Sequence, residues 1–300
     1  MDEQAFKKLA LAILGHDWEE TSSFQYDEYV ISQFKSTAFD SDYSCYKVQW
    51  SGRSIVVKIS TKHELQLLRE LSAKGYRVPH YMASICLQNE DIMIFMHMLP
   101  GTELYSVTHH ESWICAAREL AKIHKDYWLY SSAEENSMPF STSPRFNMVL
   151  RDAWHNTFGN PMWKKYMEKI ISRISVAPKT FIHGDMFPTN VLVHNDEIGF
   201  VDFADAGLAP YMMDIGRLTG VIDKDTLQTM CPCPENTIDA YYHEIRKNIA
   251  LDYEEYLADI RMAQFLELAY IYCPPGSGLY LRDFKIKVEQ QLNNLASAGM

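Results

Sequence analysis

The segment 183–205 constrains the fold of this chain more than any other feature. It opens with the octet His-Gly-Asp-Met-Phe-Pro-Thr-Asn at 183–190 and closes with Val-Asp-Phe-Ala-Asp at 201–205. Apolar runs typical of strands flank the octet, at 180–182 before it and 191–194 after it. The pattern therefore predicts a polar loop whose position is fixed by the apolar strands on either side of it.

Three oxygen-bearing side chains in this segment have the spacing used for phosphoryl transfer from ATP. Asn190 lies five positions after Asp185, and Asp202 lies twelve positions after Asn190. In that chemistry one aspartate receives the proton of the attacking hydroxyl, while the asparagine and a second aspartate bind Mg²⁺. A His-Gly-Asp turn alone is most often simple turn chemistry, because glycine permits positive φ and aspartate caps backbone donors. The presence of Asp202 downstream, at the distance of a hairpin, argues against a turn without a catalytic role.

Composition and charge exclude several classes of protein. The net charge of −11 argues against binding to a nucleic-acid backbone and is compatible with a cationic small-molecule partner. No apolar run approaches the ~18 residues that a membrane span needs, and the charged N-terminus lacks a signal-peptide core. The six cysteines are scattered, and Cys231-Pro-Cys233 lacks the spacing of zinc or redox sites. We therefore expect a cytoplasmic protein with reduced thiols that binds neither nucleic acid nor membrane.

The order of apolar patterns predicts an α+β protein with two lobes. Residues 1–95 form a nucleotide-binding lobe with an antiparallel sheet and one main helix, and residues 96–101 form a hinge. Residues 102–300 form a mostly helical lobe that carries the catalytic hairpin and the substrate-binding helices. Residues 131–160 lack a regular pattern. Outside the hairpin, strands are expected at 24–34, 46–50, 54–59, 81–85 and 91–98, and helices at 62–74, 111–127, 161–174, 237–250, 252–273 and 282–296.

A lysine and a glutamate in the first lobe fit the nucleotide side of such a site. Lys58 lies near the end of the apolar strand 54–59, where a kinase needs a cation for the α- and β-phosphates. Glu64, near the start of the next helix, can orient that cation, whereas its competitor Glu70 points to a different helix face. Without the loop, a strand lysine is more often a solubilising charge on an edge strand.

Three further polar residues lie in or near the loop, and two of them have alternative roles. His183 is expected to orient the loop through a hydrogen bond rather than to act as a base. Asp205 is equally compatible with facing the acceptor and with capping the turn. Asp214 begins an apolar helix, so it either caps that helix or braces the loop from behind.

The chain resembles the aminoglycoside phosphotransferase and choline kinase group, which shares the bilobal protein-kinase-like fold. A His-Gly-Asp sequence, in place of His-Arg-Asp, is typical of this small-molecule group rather than of protein kinases. Only twelve positions separate Asp202 from Asp214, too few for a protein-kinase activation segment. The matching stretches are Ile55–Lys58, Glu64–Pro79, Met96–Gly101, Leu120–His124, His183–Asn190, Val201–Asp205 and Asp214–Gly216.

The resemblance implies a role for each matched polar position. Asp185 becomes the catalytic base, and Asn190 and Asp202 become the Mg²⁺ ligands. Lys58 and Glu64 become the pair that binds the phosphates of ATP or GTP. The implied protein is a phosphotransferase for an alcohol group. Whether it is a monomer or a homodimer is left open by the sequence.

The resemblance also implies contacts to the base and phosphates of the nucleotide. The hinge is expected to bind adenine through the His97 carbonyl and the Leu99 amide, with Met96 behind the ring. Ser41 matches a phosphate-binding serine. The turn around Ser41 contains no glycine, so a hairpin turn without any ligand role is an equal alternative there.

The leading hypothesis for the acceptor is a small cationic molecule with a hydroxyl, of the aminoglycoside antibiotic type. Carboxylates suit its amino groups and tyrosines suit a quaternary ammonium, although an acidic helix face is more often merely solvated. The alternatives are a metabolic kinase for choline, ethanolamine, a sugar or an amino alcohol, and a non-catalytic nucleotide-binding module. The candidate acceptor residues are Asp205, Asp252, Glu255 and Asp259, beside Glu254, Tyr253 and Tyr256.

Overall fold

The computed structural model describes residues 1, 3–16, 22–35, 42–87, 90–129, 134, 138, 140–272 and 282–299. The chain divides into two compact units, and the α+β class predicted from the sequence is confirmed. Unit 1 comprises Met1–Pro100 with Gly199–Ala204, and unit 2 comprises Gly101–Ile198 with Asp205–Met300. The short segment 199–204, which the sequence placed in the second lobe, therefore belongs to unit 1.

Unit 1 is built on a six-stranded antiparallel sheet with the strand order β1-β2-β3-β4-β6-β5. The strands are β1 (Ser23–Tyr26), β2 (Tyr29–Lys35), β3 (Asp42–Trp50), β4 (Arg53–Ser60), β5 (Tyr81–Cys86) and β6 (Ile92–His97). Its helices are α1 (Glu3–Leu14) and α2 (Lys62–Ala73). The side chains of α1 and four strands form one buried cluster: Phe6, Leu9, Ala10, Ile13, Ile31, Tyr46, Val48, Ile55, Val57, Met93 and Phe95.

Helix α2 carries its own start and stop signals. Thr61 caps the N-terminus, and its hydroxyl oxygen accepts a hydrogen bond from the Glu64 amide at 3.3 Å. Gly75 follows the helix with φ +84, a left-handed conformation that glycine adopts without strain. These signals place Glu64 in the first turn of α2.

The prediction of one strand over 24–34 is wrong. The chain instead forms β1 and β2, which pair as an antiparallel hairpin with a turn at 27–28. Asp27 adopts φ +48 there, and aspartate tolerates the left-handed region better than most residues. A two-residue turn leaves the apolar alternation on both sides intact, so the pattern alone did not reveal the reversal.

Unit 2 is mostly helical, and α8 packs against α4, α6 and α9. Its helices are α3 (His110–Asp126), α4 (Pro144–Thr157), α5 (Pro161–Ile174), α6 (Met212–Gly220), α7 (Pro234–Ile245), α8 (Tyr253–Ile271) and α9 (Arg282–Gly299). Its strands are β7 (Thr102–Glu103), β8 (Lys179–Ile182), β9 (Val191–His194), β10 (Glu197–Phe200) and β11 (Gly207–Pro210). One small sheet has the order β10-β9-β7, and β8 pairs with β11 in the other. Strand β10 begins in unit 2, and its last two residues, 199 and 200, belong to the 199–204 segment of unit 1.

Helix α4 is the main element that the sequence did not predict. It lies in the stretch 131–160 that lacked a regular pattern. A start signal is nevertheless present, because Ser143 accepts a hydrogen bond from the Phe146 amide at 3.2 Å and Pro144 occupies the first turn. The short strand β11 was also missed; its pairing with β8 joins residues far apart in sequence.

Two general expectations concern membrane segments and cysteines. In the part of the chain that the structure describes, every helix is too short or too polar to cross a bilayer. The five cysteines in that part, at positions 45, 86, 115, 231 and 233, are free thiols.

Candidate functional site

Lys58 and Glu64 form an ion pair in unit 1. Strand β4 places Lys58 opposite Cys45 of β3 and Ile94 of β6, and α2 begins two residues after β4 ends. The Nζ atom of Lys58 lies 2.8 Å from Oε1 of Glu64. The other carboxylate oxygen of Glu64 accepts a hydrogen bond from the Ser60 hydroxyl, and Glu64 is only 1% exposed. The carboxylate is therefore fixed on both of its oxygens.

Asp202 joins this pair in a cluster of three charges. Its Oδ1 atom lies 2.6 Å from Nζ of Lys58. Asp202 adopts φ +67, a left-handed conformation that is uncommon for residues other than glycine. The amide of the next residue, Phe203, donates a hydrogen bond to Oε1 of Glu64 at 3.0 Å. Glu64 therefore holds both the lysine and the backbone that presents Asp202.

The charges of this cluster control the protonation of Lys58. Burial alone would lower the pKa of Lys58, but the charges of Glu64 and Asp202 outweigh burial and raise the pKa above its usual value. Lys58 is therefore protonated at neutral pH, as a phosphate-binding cation must be. Burial also raises the pKa of the adjacent Cys45 thiol to about 12, which disfavours its thiolate form.

The residues expected at the hinge lie at the end of β6. Met96 is buried, and the His97 amide donates to the His80 carbonyl at 2.9 Å. The Leu99 amide has no backbone acceptor within the described residues. The contact of the His97 carbonyl and the Leu99 amide with adenine stays a prediction. Ser41 lies outside the described residues.

Asp185 and Asn190 meet within the loop of unit 2. The side-chain nitrogen of Asn190 donates to the Asp185 backbone carbonyl at 2.9 Å and to Oδ2 of Asp185 at 3.1 Å. Both bonds use the amide nitrogen, so the side-chain oxygen of Asn190 is the atom left to bind a cation. The loop thus fixes the orientation of both predicted residues.

Asp214 braces this loop from behind. Its Oδ2 accepts a hydrogen bond from the His183 amide at 2.6 Å, and its Oδ1 accepts one from the Gly184 amide at 3.0 Å. His124 Nε2 lies 3.1 Å from the same Oδ2, and His124 Nδ1 lies 2.7 Å from the Tyr241 hydroxyl. Of the two roles that the sequence left open, the contacts assign Asp214 the bracing role.

The glycine of the loop is required by its surroundings. Gly184 has φ +82, and a Cβ atom there would collide with the backbone carbonyl of Asp205. That same carbonyl accepts a hydrogen bond from the Ser143 hydroxyl at 2.7 Å. The backbone of Asp205 therefore helps to shape the loop, whereas a role of its side chain towards an acceptor stays a prediction.

Two arginines that the sequence did not single out contact Asp185. Arg217 Nη2 lies 2.5 Å from Oδ1 of Asp185, and Arg145 Nε lies 3.4 Å from the same atom. Burial opposes ionisation of Asp185, but the charges of Arg217 and Arg145 outweigh it and hold its pKa below the usual value. Arg217 was accessible to sequence reasoning, because it follows Asp214 by one helical turn. Arg145 lies on the unpredicted α4, and nothing local links it to the loop.

The acidic residues proposed for the acceptor have structural partners instead. Asp259 is 1% exposed; Arg173 Nε lies 2.7 Å from its Oδ1, and the Tyr211 hydroxyl donates to its Oδ2 at 2.9 Å. Glu255 pairs with Arg173 at 2.8 Å. The Asp252 side chain caps α8 by accepting from the Glu255 amide at 2.9 Å. These contacts explain the three carboxylates without an acceptor, so we do not place them in the proposed site.

The available oxygen donors fit Mg²⁺ rather than a metal held by protein alone. Asn190 in unit 2 and Asp202 in unit 1 each offer a side-chain oxygen, the ligand type that Mg²⁺ prefers. Within the described ranges, no group of three or more histidine, cysteine or acidic side chains could enclose a metal ion. Binding through one or two protein oxygens plus substrate phosphates is the usual arrangement for Mg²⁺.

Comparison with known sequences places the site in one family. A sequence model described as "Phosphotransferase enzyme family" matches residues 35–230. This range includes the charge cluster of unit 1, the loop of unit 2 and helix α6. A search of curated proteins found no match.

Solved structures of small-molecule kinases share the fold. The GDP complex of aminoglycoside 2'-phosphotransferase-IIIa aligns with a TM-score of 0.62 at 14% identity, covering 100% of both chains. A microcompartment-associated aminopropanol kinase aligns with a TM-score of 0.56 at 15% identity, covering 97% of this chain and 96% of its own. An aminoglycoside phosphotransferase from Alicyclobacillus acidocaldarius aligns with a TM-score of 0.55 at 12% identity, covering 88% and 91%. At these identities the likeness concerns the fold, and the expected kinase-like fold is confirmed.

Proposed function

Since this chain belongs to the phosphotransferase enzyme family, we propose that it transfers the γ-phosphoryl group of ATP, with Mg²⁺, to a hydroxyl of a small molecule. The observation that carries the proposal is the position of Lys58 Nζ, 2.8 Å from Glu64 and 2.6 Å from Asp202. A protonated lysine beside two carboxylates is the arrangement that kinases use to bind nucleotide phosphates. GTP is the alternative donor.

We assign each of these residues a part in the proposed reaction. Lys58, oriented by Glu64, binds the phosphates of the nucleotide, and Asp185 orients the acceptor hydroxyl and receives its proton as the oxygen–phosphorus bond forms. The bond from the γ-phosphorus to the bridging oxygen breaks, and ADP leaves. Mg²⁺, held by Asn190 and Asp202, would neutralise charge on the phosphates. A base with a lowered pKa suits a late proton transfer, because little negative charge develops on the hydroxyl beforehand.

Two classes of acceptor remain in competition. An aminoglycoside-type antibiotic is one, and an amino alcohol, choline, ethanolamine or a sugar is the other. Both classes occur among the proteins that share this fold, as an aminoglycoside 2'-phosphotransferase and an aminopropanol kinase. The net charge of −11 still favours a cationic acceptor. The partners of Asp252, Glu255 and Asp259 remove the acidic cluster as an argument for it.

A panel of acceptors tests the proposal. The purified protein is incubated with Mg·ATP and, in separate reactions, an aminoglycoside, spectinomycin, 1-amino-2-propanol, choline, ethanolamine and a hexose. Release of ADP and the mass of the phosphorylated product are measured. We expect one class to be phosphorylated, and Asp185→Asn to lower kcat by about 10²- to 10⁴-fold with little change in ATP affinity. Asp196→Asn, at an exposed turn of the same hairpin, is the matched control and should retain activity.

Two results would contradict the proposal. An Asp185→Asn variant as active as the unchanged protein would remove Asp185 from the reaction. Calorimetric binding of Mg·ATP without any phosphorylated product or ATP hydrolysis would favour the non-catalytic nucleotide-binding module.

A further inference from the structure

A buried glutamate links the two arginines that contact Asp185. Arg145 Nη1 and Nη2 donate to the two carboxylate oxygens of Glu267, each at 2.8 Å. Arg217 Nη1 donates to Oε2 of the same carboxylate at 2.7 Å. The side chain of Glu267 is 2% exposed. One carboxylate on α8 thus aligns a guanidinium from α4 with a guanidinium from α6.

Each guanidinium group also lies near the ring of an aromatic residue, in addition to its contacts with carboxylates. The Arg145 guanidinium lies 5.2 Å from the ring centre of Tyr270, and the Arg217 guanidinium lies 5.2 Å from that of Phe187. Such cation–π contacts attract each guanidinium group to the face of its ring. The two arginines are therefore confined where they meet Asp185.

Both arginines approach the same oxygen of Asp185. Arg217 Nη2 lies 2.5 Å from Oδ1 and Arg145 Nε lies 3.4 Å from it, while Oδ2 accepts a hydrogen bond from the side-chain nitrogen of Asn190 at 3.1 Å. The carboxylate is thereby fixed against rotation about its own bonds. A catalytic base must be held within a fraction of an ångström of its working position, because small displacements are costly in rate.

Stability alone does not account for such a cluster. Replacing a buried Arg–Glu–Arg group with apolar residues of similar volume is often neutral or stabilising, since desolvation offsets the attraction between the charges. The same unit contains a second bidentate Arg–carboxylate pair, in which the half-buried Arg173 binds the buried Asp259 and neither contacts Asp185. The two clusters share their chemistry and differ in whether they touch the base.

We propose that Arg145 and Glu267 are positioning residues of the reaction: Glu267 aligns the two guanidinium groups, and Arg145 with Arg217 holds the Asp185 carboxylate in one orientation. This inference rests on the proposed role of Asp185 as the base. It assigns a rate-controlling part to α4, in which no residue was expected to act.

The test compares two bidentate arginines in the same unit. Arg145→Met removes one of the two guanidinium groups beside Asp185, and Arg173→Met removes the bidentate pair with Asp259. Kinetics use the acceptor that the panel identifies or, with no acceptor, the hydrolysis of Mg·ATP by water. Arg145→Met should lower kcat about 100-fold and leave the KM for ATP within about twofold, whereas Arg173→Met should keep kcat within about twofold. Arg145→Lys, which keeps the charge, should recover part of the loss.

Glu267→Gln is a second test variant, which removes the charge of the side chain and keeps its shape. It should also lower kcat at least tenfold relative to Arg173→Met, with both variants shown to be folded by circular dichroism. Crystal structures of Arg145→Met and Arg173→Met give a readout besides activity: the Asp185 side chain should occupy more than one rotamer in the first and one rotamer in the second.

The outcomes separate this inference from the proposed function. A kcat loss below tenfold in both Arg145→Met and Glu267→Gln, or an equal loss in Arg173→Met, overturns the positioning role. A single, unchanged Asp185 rotamer in Arg145→Met overturns it as well. If Asp185→Asn is fully active, the proposed role of Asp185 fails instead.

Discussion

The Glu64 carboxylate accepts a hydrogen bond from the Phe203 amide, 3.0 Å away in space and 139 residues further along the chain. The same oxygen, Oε1, lies 2.8 Å from Lys58 Nζ. One side chain on α2 therefore determines where the lysine and the segment bearing Asp202 lie relative to each other. Loss of this carboxylate would disturb two candidate ligand-binding groups at once.

Replacing Glu64 should impair both stability and use of ATP. Glu64→Ala leaves Lys58, 14% exposed at its side chain, with Asp202 as its remaining carboxylate partner. We expect the free energy of unfolding to fall by about 3–5 kcal/mol, as for other broken buried pairs, and kcat/KM for ATP to fall with it. Urea unfolding and steady-state kinetics measure the two effects. Glu3→Gln, which breaks an exposed pair with Lys7, is the control and should change neither. Equal effects of both substitutions would refute the interpretation.

A side chain at position 184 should disrupt the loop. Gly184→Ala adds a Cβ at φ +82, against the carbonyl of Asp205. Strain at a left-handed backbone position costs about 1–3 kcal/mol, and the collision should shift Asp185 and reduce kcat. Gly159→Ala is the matched control, because a Cβ there meets no atom within 4 Å. Thermal unfolding and kcat are compared in the two variants; a Gly184→Ala protein as active as Gly159→Ala would contradict this prediction.

Removing the brace behind the loop should be more harmful than removing a helix cap. Asp214→Ala leaves the buried amides of His183 and Gly184 without their acceptor, at about 1–3 kcal/mol for each unsatisfied group. Asp252→Ala removes the side chain that caps α8, which should cost only about 1 kcal/mol. Chemical denaturation gives both values, and kcat should fall only for Asp214→Ala. The idea fails if the two variants lose similar stability and activity.

The acid sensitivity of the protein should depend on Glu267. Burial opposes its ionisation, but the charges of Arg145 and Arg217 outweigh burial and hold the pKa of Glu267 below that of an exposed glutamate, 4.5. Ionised Glu267 therefore contributes its full stabilisation when the pH is above the pKa of an exposed glutamate. This stabilisation is lost as the pH falls through the lowered pKa of Glu267 in the folded protein.

Glu267→Gln cannot titrate, which gives the control. The difference in unfolding free energy between the unchanged protein and Glu267→Gln should be largest above pH ~5 and should narrow as the pH falls. Unfolding in urea at several pH values between neutral and acidic measures the difference. A gap that stays constant over this range would show that Glu267 does not carry the effect.

The candidate site was predictable where its residues are close in sequence. Asp185, Asn190 and Asp202 occupy one loop and hairpin, so their intervals alone indicated the chemistry. The pairing of Lys58 with Glu64 was predictable for a similar reason, since a strand and the next helix bring them together across six residues. Helices such as Pro161–Ile174 followed from apolar periodicity, which local burial imposes on the sequence.

The partners of the acidic residues at the start of α8, and the existence of helix α4, could not be predicted from local sequence patterns. Asp252, Glu255 and Asp259 have the spacing of an exposed charged surface, but Arg173 of α5 neutralises two of them. Helix α4 has a cap and an initial proline, yet its apolar positions were too irregular to identify it. Arg173 on α5 binds acidic residues of α8, and Arg145 on α4 binds Glu267 of α8. No local sequence pattern connects the helices that carry these partners.

The amino-acid sequence by itself determined the local chemistry of this protein: the strands, the capped helices and the spacing of the loop that bears Asp185 and Asn190. Only the tertiary structure decided which charges neutralise one another, as Arg145 and Glu267 show across 122 residues. The physical reason is that a buried charge is tolerated only with a partner, and the partner is chosen by packing in three dimensions rather than by distance along the chain.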